Sequence, residues 1–561
     1  MSRTISIGAQ DFAYLRENNY FYIDKTGFIK EWWENGDNVT LITRPRRFGK
    51  TLNMSMVGMF FSNQYAGRHD LFEGLEIWKE DKYRKLQGTY PVISLSFASV
   101  KGTDYLTIRK KICQILTRLY SKYNFLQDSG LLDEKEQDYF RRISAEMDDS
   151  DAAVSLNFLS DFLSRYYGKN VIILLDEYDT PLQEAYVGGY WDELVSFIRS
   201  LFNAAFKTNP YMERAILTGI TRVSKVSKES IFSDLNNLAV VTTTTERYAT
   251  AFGFTEKEVY EALEAQGLPQ WKKDVKEWYD GFNFGAHKDI YNPWSITSFL
   301  KERKLKTYWA NTSENSLIGR LIQSGPADIK VAMEDLMEGK QIETSIDEEI
   351  IFSQLDNNVT AIWSLLLASG YLKVDEEPKG GFDDVYHLSL TNFEVKRMFQ
   401  NMINGWFKNA HTRYNDFIRA LLANDLEYMN VYMNQIAMKT FSYFDTGKGS
   451  SENSEPERFY HGFVLGLIVD LSDQYRIVSN RESGLGRYDV MLEPKNGASM
   501  AYVIEFKVCR ASEKDLSATV REALKQIDDM NYDAELIARG IPKERIRHYG
   551  FAFEGKKVLI G

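Results

Sequence analysis

The first part of the chain contains short, continuous apolar runs. NVTLIT (38–43), NVIILLD (170–176) and ERAILTG (213–219) are runs of this kind. The segment KTLNMSMVGMFF (50–61), shortly after the first run, carries apolar residues at helical spacing. Runs that are apolar on both faces are typical of strands buried in a parallel sheet. The pattern therefore predicts an α/β fold with parallel strands in this part of the chain.

The last part of the chain shows a different order of elements. RFYHGFVLGLIVDL (458–471) predicts an apolar helix. GRYDVMLEP (486–494) and AYVIEFKV (501–508) alternate like two strands of a hairpin, and KNGAS between them supplies the turn. REALKQIDDMNY (521–532) predicts the next helix. The pattern predicts a second α/β domain with a helix, a hairpin and another helix in sequence.

The middle of the chain favours helices. In FGFTEKEVYEAL (252–263), Thr255 and Glu258 have the spacing of a capping box, which predicts a helix start and a helical lid. Between 359 and 399, an apolar helix, a glycine break, two short β segments and another helix resemble a winged-helix arrangement. The loop between those β segments, DEEPKGGFDD (375–384), is acidic, whereas a wing that contacts phosphates is expected to be basic. Packing between domains is therefore favoured over DNA binding for this region.

Length and composition place the chain among multidomain globular proteins. Its 561 residues predict roughly three or four domains, and the polar stretch FDTGKGSSENSEPE (444–457) is the best candidate for a domain boundary. Four segments are predicted, with bounds 1–251, 252–350, 351–445 and 454–561.

No apolar run approaches the ~18 residues of a membrane helix, and the N-terminus lacks the apolar core of a secretory signal. The two cysteines, Cys113 and Cys509, give no disulfide framework, so a cytoplasmic location is expected. The net charge of −11 argues against a generally basic nucleic-acid coat but allows a local basic groove.

The segment TLITRPRRFGKTLNM (40–54) has the form of a phosphate-binding loop between a strand and a helix. In such a loop, backbone N–H groups face the phosphates, Lys50 reaches the β and γ oxygens, and the Thr51 hydroxyl ligates Mg²⁺. Arg44 occupies the position where such loops carry their first glycine. The alternative interpretation of these residues alone is a basic turn between a strand and a helix.

Two further strand ends carry polar residues that fit ATP chemistry. Asp176 and Glu177 end an apolar run, where Asp176 would hold Mg²⁺ through water and Glu177 would polarise the attacking water. Thr218 ends the next run and could sense the γ-phosphate, while Arg222 could offset charge that develops during transfer. The alternatives are solvated acids, a strand-terminal hydroxyl and a surface arginine. Because ligands bind beyond the carboxyl ends of parallel strands, these residues are expected to converge.

The C-terminal hairpin carries a second constellation. Glu505 and Lys507 lie two residues apart and share one face of their strand, and Asp489 on the neighbouring strand could point to the same face. Two carboxylates suit Mg²⁺ or Mn²⁺, and the ammonium of Lys507 would orient or help to deprotonate a water molecule. The alternative is a solvated strand face. His461 is interpreted as a structural histidine, and Cys509 alone makes no site.

Four segments together carry a family resemblance: IGAQDFAYLRENNYFYIDKTGFI, RPRRFGKTL, LLDEYDTPL and LTGITRVSKVSKESIFSDLNNL. They resemble the AAA-ATPase-like family of bacterial proteins, whose members commonly carry a C-terminal nuclease domain of the PD-(D/E)XK superfamily. The family's loop typically reads RPRRFGKS/T, so Arg44 agrees with the family pattern, and the resemblance implies that Arg44, Arg46 and Arg47 frame the phosphates. The implied ATP-binding residues are Arg46, Arg47, Phe48, Gly49, Lys50, Thr51, Leu52, Asp176, Thr218 and Arg222. Asp24 and Lys25 in YIDKT are interpreted either as an adenine-side contact or, preferably, as an N-terminal brace.

The helix, hairpin and helix at the C-terminus are similar to the PD-(D/E)XK nuclease fold. The similarity implies metal ligation by Asp489 and Glu505, with Glu457 matching the additional acid of some members and Gln526 and Tyr532 on the following helix. Arg487 and Tyr488 precede Asp489, where the superfamily name promises proline, and that position is often replaced. Magnesium or manganese is therefore the expected cofactor here.

The expected architecture is a P-loop parallel sheet with a helical lid, a winged-helix-like middle region and a C-terminal domain of the restriction-endonuclease type. The expected function is ATP binding and hydrolysis joined to ATP-dependent or ATP-gated cleavage of DNA or RNA. The alternative is a non-cleaving, signalling-type ATPase switch whose C-terminal domain binds a partner or nucleic acid. No membrane partner is expected, and a homo-oligomer is compatible with this organisation.

Overall fold

The computed structural model describes most of the chain. The described residues are 3–224, 232, 235–309, 315–324, 327–347, 349–351, 355, 358–376, 385–409, 414–440, 464, 468, 471, 474–483, 486–496, 499–509, 515–554 and 557–561. They form two compact units. Unit 1 comprises Met1–Ser313 and Gln341–Lys396, and unit 2 comprises Glu314–Lys340 and Arg397–Gly561.

The strands alternate with helices along unit 1 and cluster near the end of unit 2. In chain order, the strands are β1 (Val39–Thr43), β2 (Val92–Ser96), β3 (Val171–Asp176), β4 (Met212–Gly219), β5 (Arg222–Ser224), β6 (Leu238–Val241), β7 (Phe254–Thr255), β8 (Phe282–Phe284), β9 (His287–Tyr291), β10 (Ile342–Ser345), β11 (Glu349–Ile351), β12 (Leu372–Glu376), β13 (Val385–Leu390), β14 (Tyr475–Ser483), β15 (Gly486–Pro494), β16 (Ala501–Val508), β17 (Ile546–Glu554) and β18 (Lys557–Ile560).

The helices connect these strands and cover their faces. In chain order, the α-helices are α1 (Phe12–Glu17), α2 (Gly27–Asn35), α3 (Lys50–Phe61), α4 (Asp81–Leu86), α5 (Tyr105–Ser121), α6 (Glu134–Arg142), α7 (Asp149–Tyr167), α8 (Thr180–Gly188), α9 (Trp191–Phe202), α10 (Glu256–Ala265), α11 (Lys272–Tyr279), α12 (Pro293–Glu302), α13 (Asn315–Ser324), α14 (Ala327–Glu338), α15 (Val359–Ala368), α16 (Phe393–Asn409), α17 (Tyr414–Ala423), α18 (Leu426–Thr440), α19 (Leu516–Asp529) and α20 (Ala534–Ala538). Among the described helices, none combines the length and the apolar character that crossing a membrane requires.

The main sheet of unit 1 is parallel and has the order β2-β3-β4-β1-β6. Every residue of β1 and of β3 is buried, as expected for strands covered by helices on both faces. The α/β fold with parallel strands that the apolar runs predicted is confirmed. Because β4 lies between β1 and β3, the ends of these three strands are adjacent at one edge of the sheet.

The rest of unit 1 contains small sheets and helices. β7, β9 and β8 form one antiparallel sheet, β10, β13 and β12 form another, and β5 pairs in parallel with β11. The predicted capping box is present, since Thr255 and Glu258 each accept a hydrogen bond from the other's backbone N–H at the start of α10. The predicted order of a helix, two strands and a helix is also present, from α15 to α16. Most of the acidic loop between those strands, 377–384, lies outside the described residues.

Unit 2 is built on a five-stranded mixed sheet with the order β14-β15-β16-β17-β18. The predicted hairpin is confirmed, because β15 and β16 are antiparallel neighbours. β16 then pairs in parallel with β17, and α19 connects them across one face of the sheet. Gly550 on β17 allows this helix to approach closely, since a Cβ atom at that position would lie 2.9 Å from the backbone oxygen of Val520.

The helices α17 and α18 belong to the same core as this sheet. Phe417, Leu421 and Met433 are buried in one cluster with residues of the C-terminal strands such as Ile504 and Phe551. The last of the three boundaries between the compact units falls after Lys396, within α16. The sequence had placed a boundary in the polar stretch 444–457, which lies outside the described residues. A fragment that starts near Ser454 would therefore lack part of the core of unit 2.

Two asparagines of α18 bond to the outer edge of β18. The amide group of Asn430 donates to the carbonyl oxygen of Ile560 at 2.9 Å and accepts from its N–H at 2.8 Å. Asn434, one turn further along the helix, makes the same pair of bonds to Val558 at 2.7 and 3.0 Å. The backbone groups of an edge strand are satisfied here by side chains.

Candidate functional sites

The predicted phosphate loop connects β1 to α3. The helix begins at Lys50, and Gly49 precedes it with a φ of 80°. A Cβ atom at Gly49 would meet no neighbouring atom, so glycine is favoured there by the left-handed backbone rather than by space. Arg47 also has a positive φ, of 64°. The tight turn and the helix N-terminus are the features that allow backbone N–H groups to bind phosphate.

Lys50 lies inside this loop. Its ammonium group donates to the carbonyl oxygens of Arg44 at 2.7 Å and Pro45 at 2.8 Å. Burial lowers the pKa of Lys50 to about 8, although the carboxylates of Glu177, Asp179 and Asp176 act in the opposite direction. The two carbonyl oxygens hold the ammonium group of Lys50 within the turn whose N–H groups would face a bound phosphate.

Asp176, the last residue of β3, is hydrogen-bonded to the start of α3 and to the end of β4. Its carboxylate accepts from the Thr51 hydroxyl of α3 at 2.8 Å and from the Thr218 hydroxyl of β4 at 2.5 Å. Burial raises the pKa of Asp176 above its ordinary value. The Thr218 hydroxyl also accepts from the N–H of Glu177 at 3.2 Å. The strand order thus brings together Thr51, Asp176, Glu177 and Thr218, which were expected to converge.

Glu177 has an uncommon backbone conformation. Its φ of 52° lies in the left-handed region, which costs free energy for a residue other than glycine. Its carboxylate accepts from the hydroxyl of Thr180 at 3.2 Å, at the start of α8. The turn therefore directs Glu177 differently from Asp176, although the two residues are adjacent in the sequence.

Asp179 is a buried carboxylate that the sequence reasoning missed. It accepts from the N–H groups of Ile220 at 2.8 Å and Thr221 at 3.1 Å, and thereby fixes the turn after β4. Burial raises its pKa. Gly219 makes room for this arrangement, because a Cβ atom there would lie 2.6 Å from the Tyr178 ring. The fourth residue of the string DEYD was the available signal, but a turn acid of this kind is indistinguishable from a solvated one in sequence.

The loop arginines have three different environments. Arg44 is fully buried, bonds to the carbonyl oxygens of Thr242 and Arg247, and lies 4.4 Å from the centre of the Phe284 ring. Burial lowers its pKa to about 9. The prediction that Arg44 frames the phosphates is therefore wrong, because its guanidinium group is used to anchor the loop.

Arg46 and Arg47 are more accessible. Arg46 is half-buried and donates to the side-chain oxygen of Gln183 at 3.0 Å. Arg47 is exposed, and its guanidinium group lies 4.3 Å from the centre of the Trp294 ring. Arg222 begins β5, and its backbone lies beside that of Glu349 in the parallel pairing of β5 with β11. Phosphate binding by these three arginines stays a prediction.

Phe48 and Leu52 support the loop. Phe48 is buried, with its ring centre 4.8 Å from that of Phe282 and 5.4 Å from that of Phe284. Leu52 is half-buried in the first turn of α3. Asn292 donates to the carbonyl oxygen of Arg46 at 3.2 Å. The aromatic segments YDGFNFG (279–285) and YNPWSITSFL (291–300) thus contact the phosphate loop.

Asp24 and Lys25 have structural partners. Asp24 accepts from the N–H groups of Thr26 at 2.9 Å and Glu76 at 2.7 Å. Lys25 is half-buried and donates to Glu258 at 2.7 Å and to the carbonyl oxygen of Thr250 at 2.8 Å. These bonds agree with the preferred interpretation of the segment as an N-terminal brace.

The C-terminal constellation lies where β15 and β16 run side by side. The pairing of Val490 with Ile504 brings Asp489 and Glu505 next to each other at the end of the ladder. Asp489 accepts from the N–H of Phe506 at 2.8 Å. Glu505 is only 2% exposed, and the ammonium group of Lys507 lies 3.8 Å from its carboxylate.

A residue of the helix α19 also contacts this group. Gln526 donates to the Glu505 carboxylate and, at 3.1 Å, to the hydroxyl of Tyr532. Burial is the main reason that the pKa of Tyr532 is raised, and the nearby carboxylates of Glu505 and Asp489 raise it further. Asp489, Glu505, Lys507 and Gln526 are thus grouped as the sequence predicted.

The donor set fits a divalent cation with a preference for oxygen. Asp489 and Glu505 offer carboxylate oxygens, which are the ligands that Mg²⁺ and Mn²⁺ prefer in proteins. Keeping a carboxylate as buried as Glu505 requires compensating positive charge or hydrogen bonds, which Lys507 and Gln526 supply in part. Glu457, the predicted additional ligand, and His461 lie outside the described residues.

In a comparison with known proteins, two segments of the chain match family models. Residues 6–232 match a family model described as a predicted AAA-ATPase, and residues 455–561 match the model of the PD-(D/E)XK nuclease superfamily. The N-terminal part of the chain is thus similar to predicted AAA-ATPases, and the C-terminal part is similar to the PD-(D/E)XK nuclease superfamily. The resemblance stated from the sequence motifs is confirmed.

A relative extends this similarity beyond the two matched domains. It is a protein of Azotobacter chroococcum mcd 1 that bears the name "Uncharacterized protein in vnfD 5'region". The two sequences are 27% identical over 553 residues, which cover 97% of this chain and 95% of the relative. The similarity therefore includes most of the segment between the two matched regions.

Three acidic residues form a group in that intervening segment. One ligand atom each from Glu256, Asp280 and Asp289 lies within 4.8 Å of the others. The ammonium group of Lys276 lies 2.5 Å from Glu256 and 3.8 Å from Asp280. Burial raises the pKa of Asp280 to about 7, helped by its hydrogen bond to Asp289 and by the charge of that residue. Burial and the neighbouring carboxylates thus favour the protonated form of Asp280.

Replacing Asp280 with asparagine is expected to stabilise unit 1 more at pH 8 than at pH 5. An aspartate has a pKa near 4 when unfolded, so its folded form binds the proton more tightly. The stability that this proton contributes is complete below about pH 4 and is lost as the pH rises through 7. Asparagine is neutral throughout and avoids that loss.

Thermal unfolding at both pH values measures the effect, with exposed Asp128→Asn as the control. The other charged or titratable groups near Asp280, namely Lys276, Glu256, Asp289, Tyr260 and Tyr291, remain in place in both proteins. An equal shift of the unfolding temperature at pH 5 and pH 8 would contradict the raised pKa of Asp280.

Proposed function

We propose that the protein binds and hydrolyses ATP at the phosphate loop and cleaves nucleic acid at the C-terminal carboxylate group, with cleavage controlled by the nucleotide. The observation that carries the nuclease proposal is the buried Glu505 beside Asp489 and Lys507 on two neighbouring strands. The match of this region to the PD-(D/E)XK nuclease superfamily supports it.

The AAA-ATPase-like domain would use its residues in separate roles. The N-terminus of α3 and the loop N–H groups would bind the phosphates, and Lys50 would turn from the loop carbonyls to the β and γ oxygens. Thr51 and Asp176, already joined by a hydrogen bond, would hold Mg²⁺. Bound Mg²⁺ supplies charge neutralisation of the phosphates. Glu177 would orient the attacking water, and Thr218 would contact the γ-phosphate.

The nuclease-superfamily domain would cleave a phosphodiester by attack of water. Asp489 and Glu505 would hold Mg²⁺ or Mn²⁺, which stabilises negative charge on the phosphate when bound. Lys507 would orient the water and take part in its deprotonation, and the nearby Glu505 keeps its ammonium in place. Gln526 would hold Glu505 in its position through the bond from α19.

Incubation with labelled nucleic acids tests the proposal. The purified chain is mixed with single-stranded and double-stranded DNA and RNA in Mg²⁺ or Mn²⁺, with ATP, ADP or no nucleotide. We expect cleavage of at least one substrate class and a rate that depends on the nucleotide. Identical rates in all three nucleotide conditions would contradict control by ATP. Binding of nucleic acid without any cleavage would favour the non-cleaving switch instead.

A further inference from the structure

A chain of hydrogen bonds joins Arg46 of the phosphate loop to the turn after β4. The guanidinium group of Arg46 donates to the side-chain oxygen of Gln183 at 3.0 Å. The side-chain NH₂ group of Gln183 donates to the carboxylate of Asp179 at 3.2 Å. The same oxygen of Asp179 accepts from the N–H groups of Ile220 at 2.8 Å and Thr221 at 3.1 Å. Gln183, on α8, thus connects the phosphate loop to the end of β4.

The two neighbours of Gln183 determine how its amide group is oriented. A guanidinium group can only donate hydrogen bonds, and an ionised carboxylate can only accept them. The amide therefore satisfies both neighbours in one orientation, with its oxygen towards Arg46 and its NH₂ group towards Asp179. Asp179 itself is 1% exposed, and the N–H of Gln183 donates to its carbonyl oxygen at 3.0 Å within the first turn of α8. The acceptor that Gln183 presents to Arg46 thus has a defined position.

The backbone of the phosphate loop is bonded to the same end of β4. The N–H of Arg44 donates to the carbonyl oxygen of Gly219 at 3.2 Å. Gly219 directly precedes Ile220, whose N–H is bonded to Asp179. The loop is therefore fixed to the end of β4 at two points, directly at Arg44 and through Gln183 at Arg46.

The first turns of α8 place Arg46 on the side of the site where Glu177 lies. The hydroxyl of Thr180 donates to the Glu177 carboxylate at 3.2 Å. Gln183 follows Thr180 by three residues and lies on the same face of the helix. Burial lowers the pKa of the Arg46 guanidinium, whereas the carboxylates of Asp179 and Glu177 act in the opposite direction. Because Glu177 orients the water that attacks the γ-phosphate in the proposed reaction, Arg46 lies on the γ-phosphate side of the site.

We infer that Gln183 is a positioning residue of the nucleotide site, which holds the guanidinium group of Arg46 where it contacts the γ-phosphate of ATP. Asp179 keeps the amide of Gln183 in the required orientation. Arg46 can bond to Gln183 and to a phosphate oxygen together, because a guanidinium group carries several N–H groups. This inference rests on the proposed binding of ATP at the phosphate loop.

Discrimination between ATP and ADP tests the inference. The Gln183→Met variant keeps the length of the side chain and removes both of its hydrogen bonds. Because ADP lacks the γ-phosphate, its affinity should be unchanged, whereas the affinity for ATP should fall roughly tenfold, the size of one hydrogen bond to a charged group. Calorimetric titration of the full chain in Mg²⁺, with ADP and with a non-hydrolysable form of ATP, measures both affinities.

Gln137→Met is the matched control for this experiment. Gln137 accepts from the guanidinium group of Arg141 at 3.1 Å, so the same kind of bond is removed at the surface of α6. The control should bind both nucleotides like the wild type. The Gln183→Met protein should remain folded, because Asp179 keeps its bonds to the N–H groups of Ile220 and Thr221.

A double-mutant cycle with Arg46→Met separates positioning from general packing. If Gln183 acts through Arg46, Gln183→Met should cause no further loss of ATP affinity in the Arg46→Met background. Additive losses, or equal losses for ATP and ADP, would overturn the inference. Undiminished binding of both nucleotides by Lys50→Ala would instead overturn the proposed site itself. Wild-type behaviour of Gln183→Met, together with lost binding in Lys50→Ala, would overturn only the role of Gln183.

Discussion

The Glu505→Gln variant is expected to lose metal-dependent cleavage of nucleic acid by about a thousandfold or more. The change removes one negative charge from the predicted metal centre, where metal ions contribute several kcal/mol to stabilisation of the transition state. Asp489→Asn should have a similar effect while keeping an acceptor for the N–H of Phe506, so the hairpin should remain folded. Cleavage rates of purified variants in Mg²⁺ and Mn²⁺ measure the loss.

Glu554→Gln is the matched control for this experiment, because Glu554 is an exposed acid on β17 of the same sheet. Lys507→Ala should also reduce cleavage strongly, but divalent-ion binding should survive because an ammonium group is not a ligand. Lys507→Arg should restore little, since a guanidinium group holds its proton and differs in shape. Equal cleavage by wild type and Glu505→Gln would show that the activity lies elsewhere or is a contaminant.

The Lys50→Ala variant is expected to lose at least about a hundredfold in ATP affinity. Hydrogen bonds to charged groups contribute ~1.5–3 kcal/mol each, and Lys50 is predicted to contact both the β and γ oxygens. Glu177→Gln should instead retain ATP and stop hydrolysis, because an amide cannot accept the proton of the attacking water. Calorimetry and phosphate release measure the two effects separately.

Lys85→Ala controls for the loss of a lysine, since Lys85 is exposed on α4 and pairs only with the surface residue Asp81 among the ion pairs described. Hydrolysis at the wild-type rate by Glu177→Gln would remove Glu177 from the reaction while leaving the phosphate loop in place. Unchanged ATP affinity in Lys50→Ala would show that this loop is not the nucleotide site.

The local chemistry of both sites was predictable because it depends on short motifs at strand ends. Lys50 and Thr51 follow one buried strand, Asp176 ends a second and Thr218 ends a third, so a parallel sheet brings them together. Glu505 and Lys507 share a strand face through the two-residue period of a strand. Such relations depend only on local periodicity and on the fold class.

Contacts between distant segments could not be predicted in the same way. Arg44 appeared suited to phosphate, yet its direction is set by carbonyl groups of the segment 242–247 and by Phe284. The approach of Gly370 to Pro45 depends on how α15 packs, which no local pattern reports. Likewise, the polar stretch 444–457 suggested a boundary, although helices before it and strands after it share one hydrophobic core.

The two asparagines on α18 have a consequence for association between molecules. An open strand edge presents unpaired N–H and C=O groups, which can recruit a strand from another chain and start aggregation. Asn430 and Asn434 occupy those groups on β18 without contributing a strand themselves. These side chains therefore block the addition of a strand along β18. A damaged or truncated chain that loses α18 would expose unpaired N–H and C=O groups of β18, to which another chain could add a strand.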